Sequence, residues 1–474
     1  MNILFAASEA YPFFTSGGLG DVAGSLPLAI KRRKTGMRVI LPLYSEMKEE
    51  WRKKLKYITN FTVPVGWRNQ YCGLFEFTRG GVTYYFLDNE YYFKRTGLYG
   101  FYDDGERFAF FSRAILEALF HIDYIPDVIH CNDWQTALVP VYLNLYYRHL
   151  EKYNNIKTVF TIHNIQYQGK YGLEILEETI GIGRKDAHIV EYDGCVNYMK
   201  GALESADKIT TVSPTYATEI LDPWYSSGLD DFLRKKQYKL CGILNGIDTE
   251  VYNPATDPNI AANYDSTTVE VGKPKCKADL RAAFGLAEND SPLVGMVTRL
   301  VSHKGLDLVR HVAESLVQSG IQVAILGSGE YTYESFFQEM AARHPDMFGV
   351  RIGFIPELAR KIYAGADMFL MPSKSEPCGL AQMVALRYGT VPIVRETGGL
   401  RDTIQDSGDG KGNGFTFSSY NAYDMQNAIL RAQEGYGKKA GWQVLIQRDM
   451  ACDNSWGASA RKYIEMYGEV AALW

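Results

Sequence analysis

Short apolar runs, each closed by polar or glycine-rich residues and then by helically spaced apolar positions, recur from one end of the chain to the other. That alternation restricts the fold to α/β with mostly parallel strands, because a parallel strand covered by helices on both faces must be apolar throughout. The densest example is residues 371–403. A strand predicted at 366–370 ends in Ser373, Lys374, Ser375 and Glu376, and Pro377-Cys378-Gly379 leads into the helical spacing of Leu380, Met383, Val384 and Leu386. A second strand at 392–394 is followed by Glu396-Thr397-Gly398-Gly399-Leu400. Loops at the carboxyl ends of parallel strands are where open α/β sheets bind ligands, and helix N-termini there offer unpaired N–H groups to anions or hydroxyls. Two such loops in succession outline a cradle for a sugar phosphate.

The same unit appears earlier in the chain. A strand at 3–7 precedes Thr15-Ser16-Gly17-Gly18-Leu19-Gly20-Asp21, read either as a phosphate-binding turn opening a helix or as a tight turn whose glycines serve the backbone alone. It is not a Walker loop, since no Gly-Lys-Ser/Thr ends it. Strands are expected at 38–42 and 209–214, with shorter strands, paired antiparallel, across the aromatic-rich 57–86. Residues 91–102 read as a tyrosine-rich loop, suited either to stacking on sugars or to packing in a satellite core. Residues 108–120 have helical spacing. Strands at 127–130 and 158–162 end in Asn132-Asp133-Trp134-Gln135 and in His163-Asn164-Ile165-Gln166, again on the edge that forms sites. His163 is open to two readings, a core histidine bonded to backbone or a group facing a ligand.

Periodicity is lost over 252–277, which reads as the crossing between domains, with the boundary near 241–253. A second βα series begins with strands at 293–297, 323–327 and 350–354. Arg299 and Lys304 follow the first of these. Solvated surface charge is the plain reading, but a pair of cations at a strand's end suits a diphosphate. Residues 406–411 lack the ligand spacing of an EF-hand and read as an exposed turn. The last segment, 456–474, is helical by pattern.

At 474 residues, with 46% hydrophobic and 22% charged, the chain is too long for one core, so about two or three domains are expected. A net charge of -5 gives no support to nucleic-acid binding by phosphate neutralisation, so an anionic ligand must be met by placed groups. Seven cysteines without a CxxC pair argue against a disulfide framework or a zinc site and for a reducing cytoplasm. The N-terminal run lacks a basic segment and soon meets Glu9, unlike a signal peptide, and no apolar run approaches the ~18 residues of a membrane span.

The ordered set of motifs resembles the bacterial glycogen synthase and plant starch synthase family over essentially the whole chain. Its marks are residues 16–22, His130-Cys131-Asn132-Asp133-Trp134, Thr161-Ile162-His163-Asn164, Asn245-Gly246-Ile247-Asp248, Thr298-Arg299-Leu300 with Lys304-Gly305, residues 372–380, and residues 387–400. The resemblance implies the GT-B glycosyltransferase fold, with two Rossmann-like domains facing across a cleft. They would be an acceptor-side catalytic domain at 1–245 and a nucleotide-sugar domain at 246–455, with a helix at 456–474 packing back on the first. It implies transfer of glucose, with retention, from ADP-glucose to the nonreducing 4-hydroxyl of an α-1,4-glucan. No cofactor and no metal are expected, ADP-glucose being a substrate.

By the same resemblance, Arg299 and Lys304 neutralise the departing diphosphate, helped by N–H groups at Gly17, Gly18 and the helix after Thr397-Gly398-Gly399. Glu376 and the N–H groups of Cys378, Gly379 and Leu380 hold glucose hydroxyls. The His163 carbonyl stabilises the anomeric centre, with its ring near the 6-hydroxyl. Phe354 packs on adenine, and Asp21, Asp133 and Asn164 are placed on the acceptor side. No carboxylate nucleophile is identifiable, and the resemblance implies same-face attack, with the leaving phosphate taking the acceptor's proton and the protein mainly aligning the partners. The family's glycine-rich loop opens with Lys, and here Thr15 stands in its place, implying weaker donor binding or a relaxed choice of nucleotide. Alternatives are a transferase of this fold preferring UDP-glucose or a small acceptor, and a degenerate glucan-binding protein without catalysis. A glucan phosphorylase fits less well, since no pyridoxal-lysine context is evident. Oligomeric state is not fixed by the sequence.

Overall fold

The computed structural model describes residues 1–473, so Trp474, the last residue of the expected terminal helix, lies outside the described residues. The chain divides into two compact units, one of residues 1–245 with 456–474 and one of 246–455.

The first unit is built on strands β1 (Asn2–Ala6), β2 (Gly36–Pro42), β3 (Lys56–Val65), β4 (Arg68–Arg79), β5 (Val82–Asp88), β6 (Val128–Asn132) and β7 (Lys157–Ile162). The short strands β8 (Lys170–Tyr171), β9 (Glu191–Tyr192) and β10 (Cys195–Asn197) form a separate ribbon, and β11 (Lys208–Thr211) and β12 (Leu240–Gly242) complete the main sheet. Its order is β12-β11-β7-β6-β1-β2-β5-β4-β3, parallel from β12 to β5 and antiparallel for the last two pairings. The chain lays down strands on one side of β1, then returns to add β6 on the other. The switch point therefore lies between β1 and β6, where such sheets leave a crevice at the carboxyl ends. β1 and β6 are covered on both faces, which is why their sequences do not alternate.

The second unit has β13 (Leu293–Val297), β14 (Gln322–Gly327), β15 (Phe348–Ile352), β16 (Met368–Met371), β17 (Val391–Arg395) and β18 (Phe415–Phe417). All pairings are parallel, in the order β15-β14-β13-β16-β17-β18, with the switch between β13 and β16. Leu386, Val394, Leu400 and Ile404 form a buried apolar cluster directly behind the two loops of 371–403.

The terminal helix Trp456–Ala471 belongs to the first unit and packs on the helix Gly18–Lys31. It buries Trp456, Ala460, Tyr463, Tyr467 and Val470, and Tyr467 Oη lies 2.6 Å from His130 Nδ1. Among the described residues no helix is long and apolar enough to cross a membrane.

Three sequence expectations are corrected. The strands of 57–86 are not short, since β3 and β4 run for 10 and 12 residues and form a long antiparallel hairpin. Residues 91–102 are not wholly a loop: the helix Glu90–Phe93 opens them, capped by the Asn89 side chain accepting from Tyr92 N–H. The unpatterned 252–277 contains the start of a helix, Val269–Phe284. Its buried face carries Lys273, Lys277 and Arg281 among Cys276, Leu280 and Phe284, so its apolar period is interrupted by charges with buried partners. Lys273 donates to the carbonyls of Ala364 and Tyr388 and to Thr390 Oγ1, and Lys277 pairs with Asp367 at 2.6 Å.

Candidate functional site

Each unit carries its candidate residues at the carboxyl edge of its own sheet. In the first unit these are Thr15, Gly17, Gly18 and Asp21 beyond β1, Asp133 beyond β6, and His163 and Asn164 beyond β7.

The helix Gly18–Lys31 starts without a side-chain cap from its own N-cap residue, Gly17. The buried carboxylate of Glu9 serves instead. One oxygen accepts from Ser16 N–H (2.8 Å) and Ser16 Oγ (2.6 Å), and the other from Gly20 N–H (3.0 Å). Those bonds satisfy the turn's inward donors, and among the described residues the N–H groups of Gly17 and Gly18 have no protein acceptor. A Cβ at either glycine would meet open space, so the turn's outer side is bare. Thr15 is exposed, its hydroxyl 3.3 Å from the Gly17 carbonyl oxygen. Burial pushes the Glu9 carboxyl up, and Asp21 is raised to about 6 by desolvation and then by Glu9.

Asp133 has φ 56, outside the ordinary regions for a residue with a side chain. Its carboxylate accepts the N–H of His163 at 2.8 Å and that of Asn164. In a trans peptide the C=O points opposite to the N–H of the next residue. Holding Asn164 N–H inward therefore turns the His163 carbonyl outward, and among the described residues no protein donor meets it. Asp133 is placed to aim the His163–Asn164 backbone. Desolvation raises its pKa to about 7, with the two N–H bonds pulling down and Glu9 pushing up. Burial lowers the His163 imidazole to about 3, so it is neutral. His130 is a core histidine, buried, with both ring nitrogens bonded, to Tyr467 Oη and to Thr161 Oγ1.

In the second unit, Arg299 and Lys304 follow β13, Phe354 follows β15, Glu376, Cys378, Gly379 and Leu380 follow β16, and Thr397, Gly398 and Gly399 follow β17. Lys304 Nζ lies 2.7 Å from Glu376 Oε2, an ion pair across the switch point. Ser373 Oγ donates to the same oxygen at 2.9 Å. His303 is depressed by burial, then by Lys304 and Arg299. Arg299 is exposed and, among the described residues, has no ion-pair partner.

The two loops of 371–403 touch backbone to backbone. Gly399 N–H donates to the carbonyls of Glu376 and Pro377, and a Cβ at Gly398, where φ is +46, would lie 1.8 Å from Glu376 O. Buried Gln382 holds the first loop from beneath, its Nε2 donating to the carbonyls of Cys378 (3.0 Å) and Gly379 (2.9 Å). With those carbonyls drawn inward, the N–H groups of Gly379 and Leu380 turn outward, and among the described residues neither has a protein acceptor. Phe354 is 91% exposed, a bare ring at the same edge. Among the described residues no three His, Cys, Asp or Glu are grouped to hold a metal ion.

Sequence reasoning missed Glu9, Asn132, Ser373 and Gln382 as site residues. Glu9 and Ser373 carried a signal, a polar group just past a strand's carboxyl end. Asn132 and Gln382 act from beneath, and spacing does not reveal which way a peptide faces.

Residues 2–235 match the family described as "Starch synthase catalytic domain", and residues 279–442 match "Glycosyl transferases group 1". A glycogen synthase of Geobacillus thermodenitrificans is 51% identical over 475 aligned residues, 99% of this chain and 98% of that protein. One of Clostridium novyi is 50% identical with both chains fully covered. Among solved structures, the catalytic domain of starch synthase IV from Arabidopsis thaliana, bound to ADP and acarbose, superposes with a TM-score of 0.90 at 35% identity. It is covered to 99% and this chain to 100%. Sucrose-phosphate synthase from Thermosynechococcus elongatus shares the fold, with a TM-score of 0.62 at 16% identity and 99% of each chain covered.

Proposed function

The chain belongs to the glycogen and starch synthase family of GT-B hexosyltransferases, and from that premise we propose that it moves glucose from ADP-glucose to the nonreducing 4-hydroxyl of an α-1,4-glucan with retention at the anomeric carbon. The observation that carries the reading is the set of groups at the carboxyl ends of β13 and β16: Arg299 and Lys304 after the first, and after the second Glu376, paired with Lys304, and the outward N–H groups of Gly379 and Leu380. A diphosphate needs the first pair. A sugar with several hydroxyls needs the rest.

The reaction breaks the bond between the anomeric carbon and a phosphate oxygen, so negative charge grows on the diphosphate while the sugar becomes oxocarbenium-like. Arg299 and Lys304 neutralise that growing charge, and N–H groups at Gly17 and Gly18 donate to phosphate oxygens, whereas the expected help from the helix after Thr397-Gly398-Gly399 is corrected: Gly399 N–H is spent on the carbonyls of Glu376 and Pro377, and those of Leu400 and Arg401 on Thr397 O. Glu376, fixed by Lys304 and Ser373, accepts from glucose hydroxyls, to which Gly379 and Leu380 offer N–H. The His163 carbonyl faces the positive anomeric centre, its ring lies near the 6-hydroxyl, and Phe354 covers the adenine. Asp21 and Asn164 serve the acceptor, and Asp133 holds the backbone that presents His163. The departing phosphate takes the acceptor's proton on the face it leaves. Residues 1–245 thus act as the acceptor-side catalytic domain, 246–455 as the nucleotide-sugar domain, and 456–474 as the helix returning to the first. Seven cysteines, none of them joined in a disulfide, accord with work in the cytoplasm.

The test is incorporation of glucose into glycogen from ADP-glucose and, separately, UDP-glucose, with Glu376→Ala as the blank. Incorporation from ADP-glucose that vanishes in the variant is expected. Turnover from UDP-glucose alone would move the donor, and none from either would leave a glucan-binding protein.

A further inference from the structure

One ring nitrogen of His163 is committed to the protein: Nε2 lies 2.9 Å from Oδ1 of Asn132. Which amide atom faces the ring is decided from the other side. The Asn132 NH2 donates to the carbonyl oxygens of Ala6 (3.0 Å) and His130 (3.3 Å), and carbonyls only accept. Turning the amide over would set Oδ1 against both carbonyls. Asn132 is also fully buried at the end of β6, whose pairing with β1 and β7 holds it in register. Its Oδ1 therefore accepts, and the hydrogen between the two groups belongs to the ring.

We infer that Asn132 is a positioning residue that fixes His163 as the Nε2–H tautomer, so that Nδ1 meets the ligand as a hydrogen-bond acceptor and selects a donor sugar carrying a hydroxyl at that point. A neutral imidazole carries only one N–H, and its second nitrogen is then a lone pair. Burial keeps this ring neutral, its pKa lowered to about 3, and among the described residues Nδ1 has no protein partner. A hydroxyl can donate to such an atom. A fluorine or a carboxylate at the same carbon presents only acceptor density to it and is disfavoured. The identity of that hydroxyl as the sugar's 6-OH rests on the function proposed above, whereas the tautomer does not.

Two measurements separate the two. In protein carrying 15N-labelled histidine, the His163 signals, assigned against His163→Ala, should show a protonated Nε2 and an unprotonated Nδ1, with no sugar present. A protonated Nδ1 overturns the inference whatever the substrate. The second compares kcat/KM for ADP-glucose with that for its 6-deoxy-6-fluoro analogue. Wild type should prefer the hydroxyl by about 10- to 100-fold, the worth of one buried hydrogen bond. Asn132→Leu, which frees the ring to protonate at Nδ1, should shrink that preference about tenfold while binding of ADP alone is kept. The expected tautomer with no preference in wild type would overturn the assigned selectivity and with it the placement of the 6-hydroxyl, leaving glucosyl transfer itself untouched. If Asn132→Leu fails to fold, the wild-type spectrum and the wild-type preference decide the matter.

Discussion

Thr15 and Asp449 are two residues at which chemistry departs from the surrounding pattern. Thr15 stands where the resemblance implies a Lys, on a turn whose Gly17 and Gly18 donors, among the described residues, have no protein acceptor. A hydroxyl offers one hydrogen bond without charge, whereas an ammonium adds a charge-assisted contact to phosphate. Thr15→Lys should lower the KM for ADP-glucose by about tenfold, roughly 1.4 kcal/mol, with a smaller effect on kcat. Steady-state kinetics check this, and an unchanged KM would place the turn away from the diphosphate. Asp449 is buried with neither carboxyl oxygen bonded. Burial holds its pKa well above the ordinary value, with Arg448 and Lys273 offsetting only part. The folded chain keeps a proton that the unfolded chain releases near pH ~4. The folded pKa is the higher one, so this group favours folding most below that pH and its contribution is lost as pH rises toward the folded value. Asp449→Asn removes the titration, so the variant should match wild type in acid and gain ~1–2 kcal/mol near pH 8. Urea midpoints at both pH values test the sign, and a difference that does not grow with pH would contradict it.

Among the elements, the loops show how one fold prepares two opposite surfaces. Asp133 draws N–H groups inward and leaves a carbonyl facing out, while Gln382 draws carbonyls inward and leaves N–H groups facing out. Gln382→Met should keep the helix Ala381–Arg387 but release those carbonyls, lowering kcat/KM for the sugar donor by about 10²-fold, in the range of losing one preorganised donor. Retention of full activity would mean the loop holds its shape through Gly398 and Gly399 alone. The strand-end placement of Arg299, Lys304, His163 and Glu376 was legible in the sequence, because covered strands are apolar and polar residues mark where they stop. The supports beneath them were not. Asn132 reads as one more polar residue of a loop, yet it is the last residue of β6 and buried, and its role follows from two carbonyls that lie 126 and 2 positions away. The helix Val269–Phe284 was hidden for a different reason, since Pro274 and three buried cations break the apolar period that marks a helix.

For the whole molecule, the chain closes its first unit with its last segment. The helix Trp456–Ala471 returns after the entire second unit and covers the helix Gly18–Lys31, which itself carries the turn of Gly17 and Gly18 at its start. Ser459 Oγ donates to Leu244 O at 2.6 Å, and Arg33 donates to Gly457 O at 3.0 Å, so the return is fixed by polar contacts as well. Trp456, Tyr463, Met466, Tyr467 and Val470 are all buried there. Each large apolar side chain is worth ~1.5–3 kcal/mol when fully buried, and their sum rivals the ~5–15 kcal/mol by which a whole domain is stable. Removing 456–474 would also unpair His130 Nδ1 in the core beside β1 and β7. The truncated chain should therefore lose the cooperative fold of its first unit while 246–455, which shares no strand with it, keeps its own. Hydrogen exchange distinguishes the outcomes: protection should vanish in β1, β6 and β7 and persist in β13, β14 and β16. Equal loss in both sheets would mean that the two units fold as one, and retained protection in β1 would mean that the terminal helix is dispensable.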